Sequence, residues 1–370
     1  MDGLLVSFFV SFILCHIFIR SIKLHGDLTG DHDVLGPQKF HTVSVPRIGG
    51  LGIAAGITSA ILSRQILQHT GTGFDSTLLL CAAPVFAVGL TEDFTKRVTI
   101  SLRAGVIAIG ALMAARLLGC TISHLEVPGV DALLAVPALS LAFTVFAVTG
   151  LANAYNIIDG FNGLSSMVGM IALLALGYVA VTVHDSQITY LSFTMASAIL
   201  GFFVWNYPRG LIFLGDGGAY LIGFWIAVLS ILIVLRHDEI SSWFALLING
   251  YPIIETLFTI YRRWIHQGKN PGHPDGIHFH SLIYRRLLNN RCAPLTSDSS
   301  LSSTKLIFNS NSRTSPYLWV LSSLSVVPAV LWWQTTWLLM LSALVFTLFY
   351  LWLYASIVRF KTPQWMHPLW

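Results

Sequence analysis

Charge is scarce in this sequence. Asp, Glu, Lys and Arg together make up 10% of the 370 residues, whereas hydrophobic residues make up 55%. An ordinary soluble domain has about a quarter of charged residues, so this class is excluded. The net charge of +4 comes from Lys and Arg concentrated in a few polar connections, and it gives no reason to expect nucleic-acid binding.

Cysteine is also sparse, with four residues that show no paired spacing: Cys15, Cys81, Cys120 and Cys292. They lie mostly in or beside apolar runs, which argues against a disulfide framework and is typical of small buried side chains. The Walker pattern GxxxxGK[ST] is absent as well. The first apolar run has no basic stretch before it and no small-residue cleavage site after it. We therefore interpret it as a span and not as a cleaved signal peptide.

Long apolar runs, by contrast, recur along the whole chain. Most are long enough to cross the roughly 30 Å hydrocarbon core of a bilayer as a helix. We therefore predict an all-α polytopic integral membrane protein with about eleven transmembrane helices. They lie near residues 3–22, 48–66, 77–91, 100–119, 132–151, 164–183, 189–206, 217–235, 241–261, 316–332 and 336–357.

The distribution of Lys and Arg predicts the orientation of these spans. Arg20 and Lys23 follow the first span, so we expect the N terminus outside and the C terminus, after eleven spans, in the cytoplasm. This alternation places 18 of the 21 Lys and Arg residues on the cytoplasmic side. The external connections are short, so residues 1–370 are predicted to form a single transmembrane domain with a long cytoplasmic loop at 262–315. The serine-rich part of that loop, 295–313, has the composition of a flexible surface linker.

The stretch NAYNIIDGFNGL places polar groups directly behind an apolar run. A carboxylate near the hydrocarbon edge is costly and usually marks function. The glycines predict that the backbone opens near Asp159, so that the polar side chains converge on one cavity. Helix capping is the simpler alternative for Asn and Asp residues followed by Gly. The four polar side chains are Asn153, Asn156, Asp159 and Asn162.

Two further segments combine acids with cations. In GLTEDFTKRVTISLRAG, Glu92 and Asp93 are adjacent and Arg103 follows. Adjacent acids can hold a divalent cation or include a base with a raised pKa, although an ordinary charged turn has the same composition. In RGLIFLGDGGAYLIGF, Asp216 lies among glycines where an apolar helix begins. Such a position lets a substrate approach closely and favours anions, with an N-cap as the alternative.

Two basic segments suit phosphate groups. Lys39, His41 and Arg47 precede a glycine-rich helix start, which is a second anion-binding arrangement. In NPGHPDGIHFHSLIYRR, His278 and His280 would share a face in an extended segment but diverge on a helix. Imidazoles beside arginines suit phosphate binding.

Zinc is the alternative for this histidine loop. Its ligands would be His273, His278, His280 and Cys292. The spacing matches none of the common structural zinc patterns, which favours the phosphate-binding interpretation.

In this order, the motifs resemble those of the polyprenyl-phosphate N-acetylhexosamine-1-phosphate transferases, glycosyltransferase family 4, the superfamily that includes MraY and WecA. The resemblance covers about residues 1–290. Its first two elements are the acidic pair Glu92-Asp93 and the NxxNxxDGxDGL motif at Asn153, Asn156, Asp159-Gly160 and Asn162-Gly163-Leu164. The other two are the GDxGS-like motif at Gly215-Asp216-Gly217-Gly218 and the PDxxHxHHLI loop at Pro274-Asp275, His278, His280 and Leu282-Ile283. The loop is closer to the WecA-like branch, because it lacks the triple histidine of MraY.

Four positions depart from the family pattern. Glu92 and Asn162 each replace an Asp, Ser281 replaces a third histidine, and Ala219 replaces a Ser. Asn-Gly also occurs elsewhere in the superfamily at the position of Asn162. The longer side chain of Glu92 makes Asp93 the better candidate for the acid that acts on phosphate.

The resemblance implies a reaction and a set of roles. An N-acetylaminosugar 1-phosphate would pass from a UDP-sugar to undecaprenyl phosphate, with release of UMP. Mg²⁺, or Mn²⁺ in its place, would be held by Asp216 and Asn156. The implied catalytic residues are Asp93, Glu92 and Asp159, of which Asp93 would orient or deprotonate the acceptor phosphate. The implied substrate-binding residues are Asn153, Asn156, Asn162, Arg103, His278, His280, Lys39 and His41.

The implied location is the cytoplasmic face of a bacterial inner membrane, surrounded by membrane lipid. The step would open O-antigen, capsule or related cell-envelope glycan synthesis, and a helix-mediated homodimer is compatible with it. GlcNAc, GalNAc, FucNAc and QuiNAc donors suit the motifs equally. A secondary transporter is the alternative from another class, because eleven spans could also suggest one. Transporters usually place their ionisable residues near the bilayer midplane. Here Glu255 is the main acid within a span and the other acids gather at one face, which favours the enzyme.

Overall fold

The computed structural model describes residues 2–23, 26, 45–68, 73–266, 268, 277–288 and 300–359, and across these residues the chain is helical with no strand. The helices are α1 (Asp2–Arg20), α2 (Gly49–Gln68), α3 (Gly73–Thr95), α4 (Ile100–Leu117), α5 (Pro128–Leu134), α6 (Pro137–Ile158), α7 (Leu164–Thr182), α8 (Ser186–Asn206), α9 (Gly215–Arg236), α10 (Ser242–Ile248), α11 (Gly250–Tyr261), α12 (Phe279–Ile283), α13 (Ser300–Leu331) and α14 (Thr336–Val358). Two short π-helical turns cover Arg262–His266 and Tyr284–Leu288.

Nine helices of the described chain are long and apolar enough to cross a membrane: α1, α3, α4, α6, α7, α8, α9, the Asn311–Leu331 part of α13, and α14. Ser242–Ile248 and Gly250–Ile265, which meet at a bend of 77°, qualify together as a tenth. This confirms an all-α polytopic membrane protein. Together these helices account for ten of the eleven predicted spans, and the other, 48–66, is helical as α2, which is rich in glycine and polar residues. The orientation of the termini stays a prediction.

Helix α9 is the centre of the bundle. It packs against α2, α3, α6 and α7, and 89% of an 18-residue apolar stretch within it is buried. A helix that is hydrophobic on every side is expected to lie inside a bundle, whereas α1 and α14 turn large apolar side chains outward. The first turn of α9 is glycine-rich because neighbouring backbones touch it. A Cβ on Gly217 would lie 2.9 Å from the Leu90 nitrogen of α3, and one on Gly218 would lie 2.9 Å from Gly50 Cα of α2.

The predicted loop 262–315 is largely helical where the structure describes it. The expectation of a flexible linker over 295–313 is wrong for 300–313, which belong to α13. Asn311 and Ser312 are buried, and the Asn311 side chain accepts the Asn162 N–H at 3.0 Å. Asn311 therefore binds a buried turn, although the composition of the segment is typical of a linker. Among the described cysteines, Cys15, Cys81 and Cys120 are buried and free, as predicted, and Cys292 lies outside the described residues.

Candidate active site

The last turn of α3 meets the first turn of α9, and Asp93 joins them. Its side chain is buried, with Oδ1 accepting the Asp216 N–H at 2.8 Å and Oδ2 accepting the Gly217 N–H at 3.0 Å. A carboxylate at a helix N terminus satisfies donors that have no partner within the helix and interacts favourably with the helix dipole. Asp93 therefore fixes the start of α9. Its implied action on an acceptor phosphate stays a prediction.

Asp216 is held between two arginines. Its Oδ2 lies 2.7 Å from Nη1 of Arg103, and its Oδ1 lies 3.3 Å from Nη2 of Arg47. The same Arg47 nitrogen lies 3.9 Å from Oδ1 of Asp93. These contacts bring together Asp93, Asp216 and Arg103, as the sequence predicts, and add Arg47 to them.

Glu92 shapes the connection that brings Arg103 to this point. Its Oε2 accepts the Val98 N–H at 2.8 Å, and its Oε1 lies 3.9 Å from Nη1 of Arg103. Thr99 caps the next helix by accepting the Leu102 N–H at 3.3 Å. The acidic residue at position 92 therefore closes the turn between α3 and α4.

Arg47 arrives from a segment that is bonded by its backbone to the residues before Asp216. Pro46 O accepts the Phe213 N–H, and the Gly49 N–H donates to Phe213 O, each at 2.9 Å. Arg47 and Asp216 are 169 residues apart in the chain, so no local pattern could have indicated their contact. Lys39 and His41, predicted in the same stretch, lie outside the described residues.

The predicted opening of the backbone near Asp159 is confirmed. Helix α6 ends at Ile158, Asp159 is its C-cap with ψ 54°, and Gly163 has φ +72°. Although part of the residue is exposed, burial among its neighbours raises the pKa of Asp159 to about 8. Arg47 counteracts this shift, and the Asp216 and Asp93 carboxylates reinforce it. Asp159 therefore belongs to the same electrostatic cluster.

Two of the three amide side chains of the motif, Asn153 and Asn162, have other contacts. The Asn153 side chain donates to Thr149 O of its own helix at 2.8 Å, whereas Asn156 accepts the Asp159 N–H at 3.2 Å with its backbone carbonyl. The Asn162 side chain donates to Pro208 O at 3.3 Å and so holds the turn to the loop before α9. An aspartate could not make this donation, which gives a structural reason for the amide here. Substrate binding by these amides stays a prediction.

The histidine loop lies against this turn. His278 is the extended N-cap of α12 and His280 belongs to its first turn, so the two rings stack with centroids 5.2 Å apart. They thus share a face across the start of a helix. A Cβ on Gly160 would lie 2.8 Å from Nε2 of His280, which places this ring beside the residue that follows Asp159.

Sequence reasoning missed the role of Glu255. This buried residue of α11 has its Oε1 at 3.1 Å from Nδ1 of His278, and its Oε2 accepts the Tyr350 O–H at 2.7 Å. Because a carboxylate only accepts, Nδ1 of His278 is the donor in this contact. Glu255 thus orients the histidine loop. A lone acid in an apolar helix was the available signal.

The site's donor set suits a hard cation. Among the described residues, no three His, Cys, Asp or Glu side chains lie close enough to hold a metal on their own. Mg²⁺ usually takes only one or two protein carboxylates and completes its shell with substrate oxygens and water. Among the described residues, the cluster offers the carboxyl oxygens of Glu92, Asp93, Asp159 and Asp216, which outnumber the two guanidinium groups of Arg47 and Arg103. The zinc alternative depends on His273 and Cys292, which lie outside the described residues.

Comparison with known proteins agrees with the motifs and the fold. Residues 76–234 match the family described as Glycosyl transferase family 4. The chain is 27% identical to a probable undecaprenyl-phosphate N-acetylglucosaminyl 1-phosphate transferase of Bacillus subtilis, over 80% of this chain and 81% of the relative. It is 26% identical to an undecaprenyl-phosphate alpha-N-acetylglucosaminyl 1-phosphate transferase of Thermotoga maritima, over 76% and 80%. It is 28% identical to a phospho-N-acetylmuramoyl-pentapeptide-transferase of Streptococcus mutans, over 72% and 82%. Over 76–234 the chain is therefore similar to glycosyl transferase family 4, and its relatives support the superfamily of polyprenyl-phosphate N-acetylhexosamine-1-phosphate transferases.

Proposed function

We propose that this membrane enzyme transfers an N-acetylaminosugar 1-phosphate from a UDP-sugar to undecaprenyl phosphate and releases UMP. The observation that supports this most is the cluster around Asp216, where carboxylates and two guanidinium groups meet at the glycine-rich start of α9. The cluster combines ligands for a divalent cation with donors for phosphate oxygens.

The chemistry requires both kinds of group. An oxygen of the acceptor phosphate attacks the β-phosphorus of the UDP-sugar, a new P–O bond forms, and the bond to the bridging oxygen breaks as UMP leaves. Both reactants are anions, so catalysis depends mainly on positioning them and neutralising charge. Arg103 presents a planar fork of donors that matches phosphate oxygens. His278 and His280 extend this surface towards the sugar and the phosphates.

Mg²⁺, with Mn²⁺ as the alternative, would be held by Asp216 and Asn156, with Asp159 in support. When bound, it would neutralise diphosphate charge and stabilise the leaving oxygen. Asp93 and Glu92 would orient the acceptor at the start of α9 or accept its proton. Asn153, Asn162, Lys39 and His41 complete the proposed substrate-binding set.

The proposed setting is the cytoplasmic face of a bacterial inner membrane, at the opening step of O-antigen, capsule or related glycan synthesis, with a homodimer as a compatible assembly. A muramoyl-pentapeptide donor is less favoured, because the loop reads HFHS. The transporter alternative loses support from Glu255, since this intramembrane acid is engaged by His278 and Tyr350.

The test uses purified protein, Mg²⁺ and undecaprenyl phosphate with a panel of UDP-N-acetylaminosugars. We expect UMP and a lipid-linked sugar to form together from one donor, and neither to form without the acceptor. Absence of turnover with every donor, from protein shown to be folded, would contradict the proposal. Uptake of a solute by vesicles containing the protein would then favour the transporter.

A further inference from the structure

We infer that Arg47 binds the diphosphate of the sugar donor. In the protein without ligands it pairs with the Asp216 carboxylate, and it moves to the donor diphosphate when a divalent cation occupies Asp216. The inference rests on the proposed function and assigns a specific role to a residue that the family motifs do not include. Its basis is the way in which the backbone places this one side chain.

The segment around Arg47 is fixed to the start of α9. Besides the two backbone bonds to Phe213, the Gly50 N–H donates to Leu214 O at 2.9 Å. These bonds hold the chain on both sides of Arg47 to residues that lie just before Asp216. The guanidinium group therefore reaches Asp216 from a backbone that is held in place.

The two glycines after Arg47 are required for this arrangement. A Cβ on Gly49 would lie 2.2 Å from Cε2 of Phe202, and one on Gly50 would lie 2.5 Å from the Gly218 nitrogen. Real Cβ atoms do not approach that closely, so the segment fits only with glycine at both positions. At Gly215, φ is +77° and a Cβ would lie 2.4 Å from Arg47 O, which gives the same constraint from the other side. The placement of Arg47 thus depends on three glycines.

The charges around Arg47 make its position useful for a diphosphate. Its guanidinium group faces Asp216 at 3.3 Å and Asp93 at 3.9 Å, and it acts electrostatically on Asp159. Of its side chain, 27% remains exposed, so solvent and ligands reach it. A dianionic diphosphate cannot approach these acids unless cations are available to it. Arg47 is such a cation, and it has a planar fork of donors suited to phosphate oxygens.

A cation and Arg47 must then compete for Asp216. A divalent ion at this carboxylate would repel the Arg47 guanidinium group, which lies 3.3 Å from the same carboxylate, since like charges close together interact strongly in a partly buried site. The displaced guanidinium group would find a new anionic partner in the donor. Without donor, loss of Arg47 should therefore strengthen cation binding. With donor, the same loss should weaken diphosphate binding.

The experiment compares Arg47→Gln with Arg209→Gln, which removes an exposed arginine from the loop before α9. Mn²⁺ binding to the purified protein is measured by electron paramagnetic resonance without nucleotide, and UDP and UMP binding by calorimetry with Mg²⁺. UDP carries the diphosphate without a sugar, so the result does not depend on which sugar the enzyme uses. For Arg47→Gln we expect tighter Mn²⁺ binding, UDP binding weaker by about 10- to 100-fold, and a smaller change for UMP. Arg209→Gln should bind all three as the wild type does.

Two results would overturn the inference. If Arg47→Gln binds Mn²⁺ and UDP as the wild type does, Arg47 has no such role. If it binds both more weakly and also unfolds at a lower temperature, Arg47 is structural. Arg47→Lys keeps the charge and loses the planar fork of donors. It should therefore restore wild-type Mn²⁺ binding while UDP binding stays weakened. Recovery of both would contradict the role of the planar fork in diphosphate binding. Failure of the wild type itself to bind UDP with any divalent cation would overturn the proposed function, and the inference with it.

Discussion

The two ends of the bundle carry buried acids in opposite electrostatic settings. Helix α3 has Asp93 at the site and Asp75 in its first turn, about 27 Å away at 1.5 Å per residue. At this far end, Asp75 lies 3.5 Å from Nη1 of Arg64, and Asp185 lies 3.1 Å from Nη1 of Arg236. Each of these acids has a cation of its own. Among the described residues of the site, four carboxyl groups share two guanidinium groups.

The difference shows in the pKa values of two aspartates that lie outside the spans. Burial raises the pKa of Asp159 to about 8, with Asp216 and Asp93 adding to the effect against Arg47. Burial also acts to raise the pKa of Asp185, but the Ile188 N–H and Arg236 outweigh it, and the net shift is downward. At the far end, the charge of each acid is balanced by an arginine of the protein, which is typical of structural ion pairs. At the site end, the described carboxyl groups outnumber the described guanidinium groups, an imbalance that a bound cation would offset.

The largest effect is expected from Asp216→Asn. Loss of the charge at the centre of the site should lower turnover by at least about a hundredfold, because it removes electrostatic stabilisation at the reacting groups. The melting temperature in detergent should change by only a few degrees, since the helix start keeps its bonds to Asp93. UMP release at saturating Mg²⁺ is the measurement. Near-normal activity would remove Asp216 from the metal site.

Asp93→Asn tests whether the second acid acts through position or through chemistry. The amide keeps one acceptor but turns a donor towards an N–H of α9. We therefore expect the free energy of unfolding to fall by about 1 kcal/mol. The loss of turnover should be smaller than in Asp216→Asn. Glu92→Gln is the matched control, because its amide oxygen can still accept the Val98 N–H. Thermal unfolding and UMP release are measured on the same samples. A stable but inactive Asp93→Asn would favour direct action on the acceptor phosphate.

Asp159 gives the site end a pH signature in metal-free buffer. The folded pKa of about 8 is above the unfolded value of about 3.9, so between these values the folded state keeps a proton that the unfolded state releases. Stability should therefore fall as pH rises from about 4 to about 8. Asp159→Asn should reduce this slope of melting temperature against pH. Equal slopes in both proteins would contradict the shifted pKa.

Local patterns were sufficient to predict most of the scaffold and part of the site. Apolar runs indicated the spans, and glycines beside Asp159 and Asp216 indicated an open turn and a helix start. The partners of Asp216 were only half predicted, because the contact with Arg47 depends on how distant helices pack. The same is true of Glu255 and His278, which are 23 residues apart in the chain. At 300–313, a polar composition indicated a linker because the backbone groups that Asn311 and Ser312 bind, at Asn162 and Pro208, are distant in sequence.

Asp185→Asn should have the smallest effect, and it gives the far end the opposite pH signature. The carboxylate accepts the Ile188 N–H at 2.9 Å, which an asparagine oxygen can still do, but the ion pair with Arg236 is lost. Because the folded pKa is below the unfolded value of about 3.9, the contribution is present above about pH 4 and is lost as pH falls through the folded pKa. We expect a melting temperature lower by a few degrees at pH 7, a difference that disappears on acidification, and unchanged turnover at neutral pH. A large loss of turnover in Asp185→Asn would mean that the two ends are coupled through α9, and the contrast between a structural end and a functional end would fail.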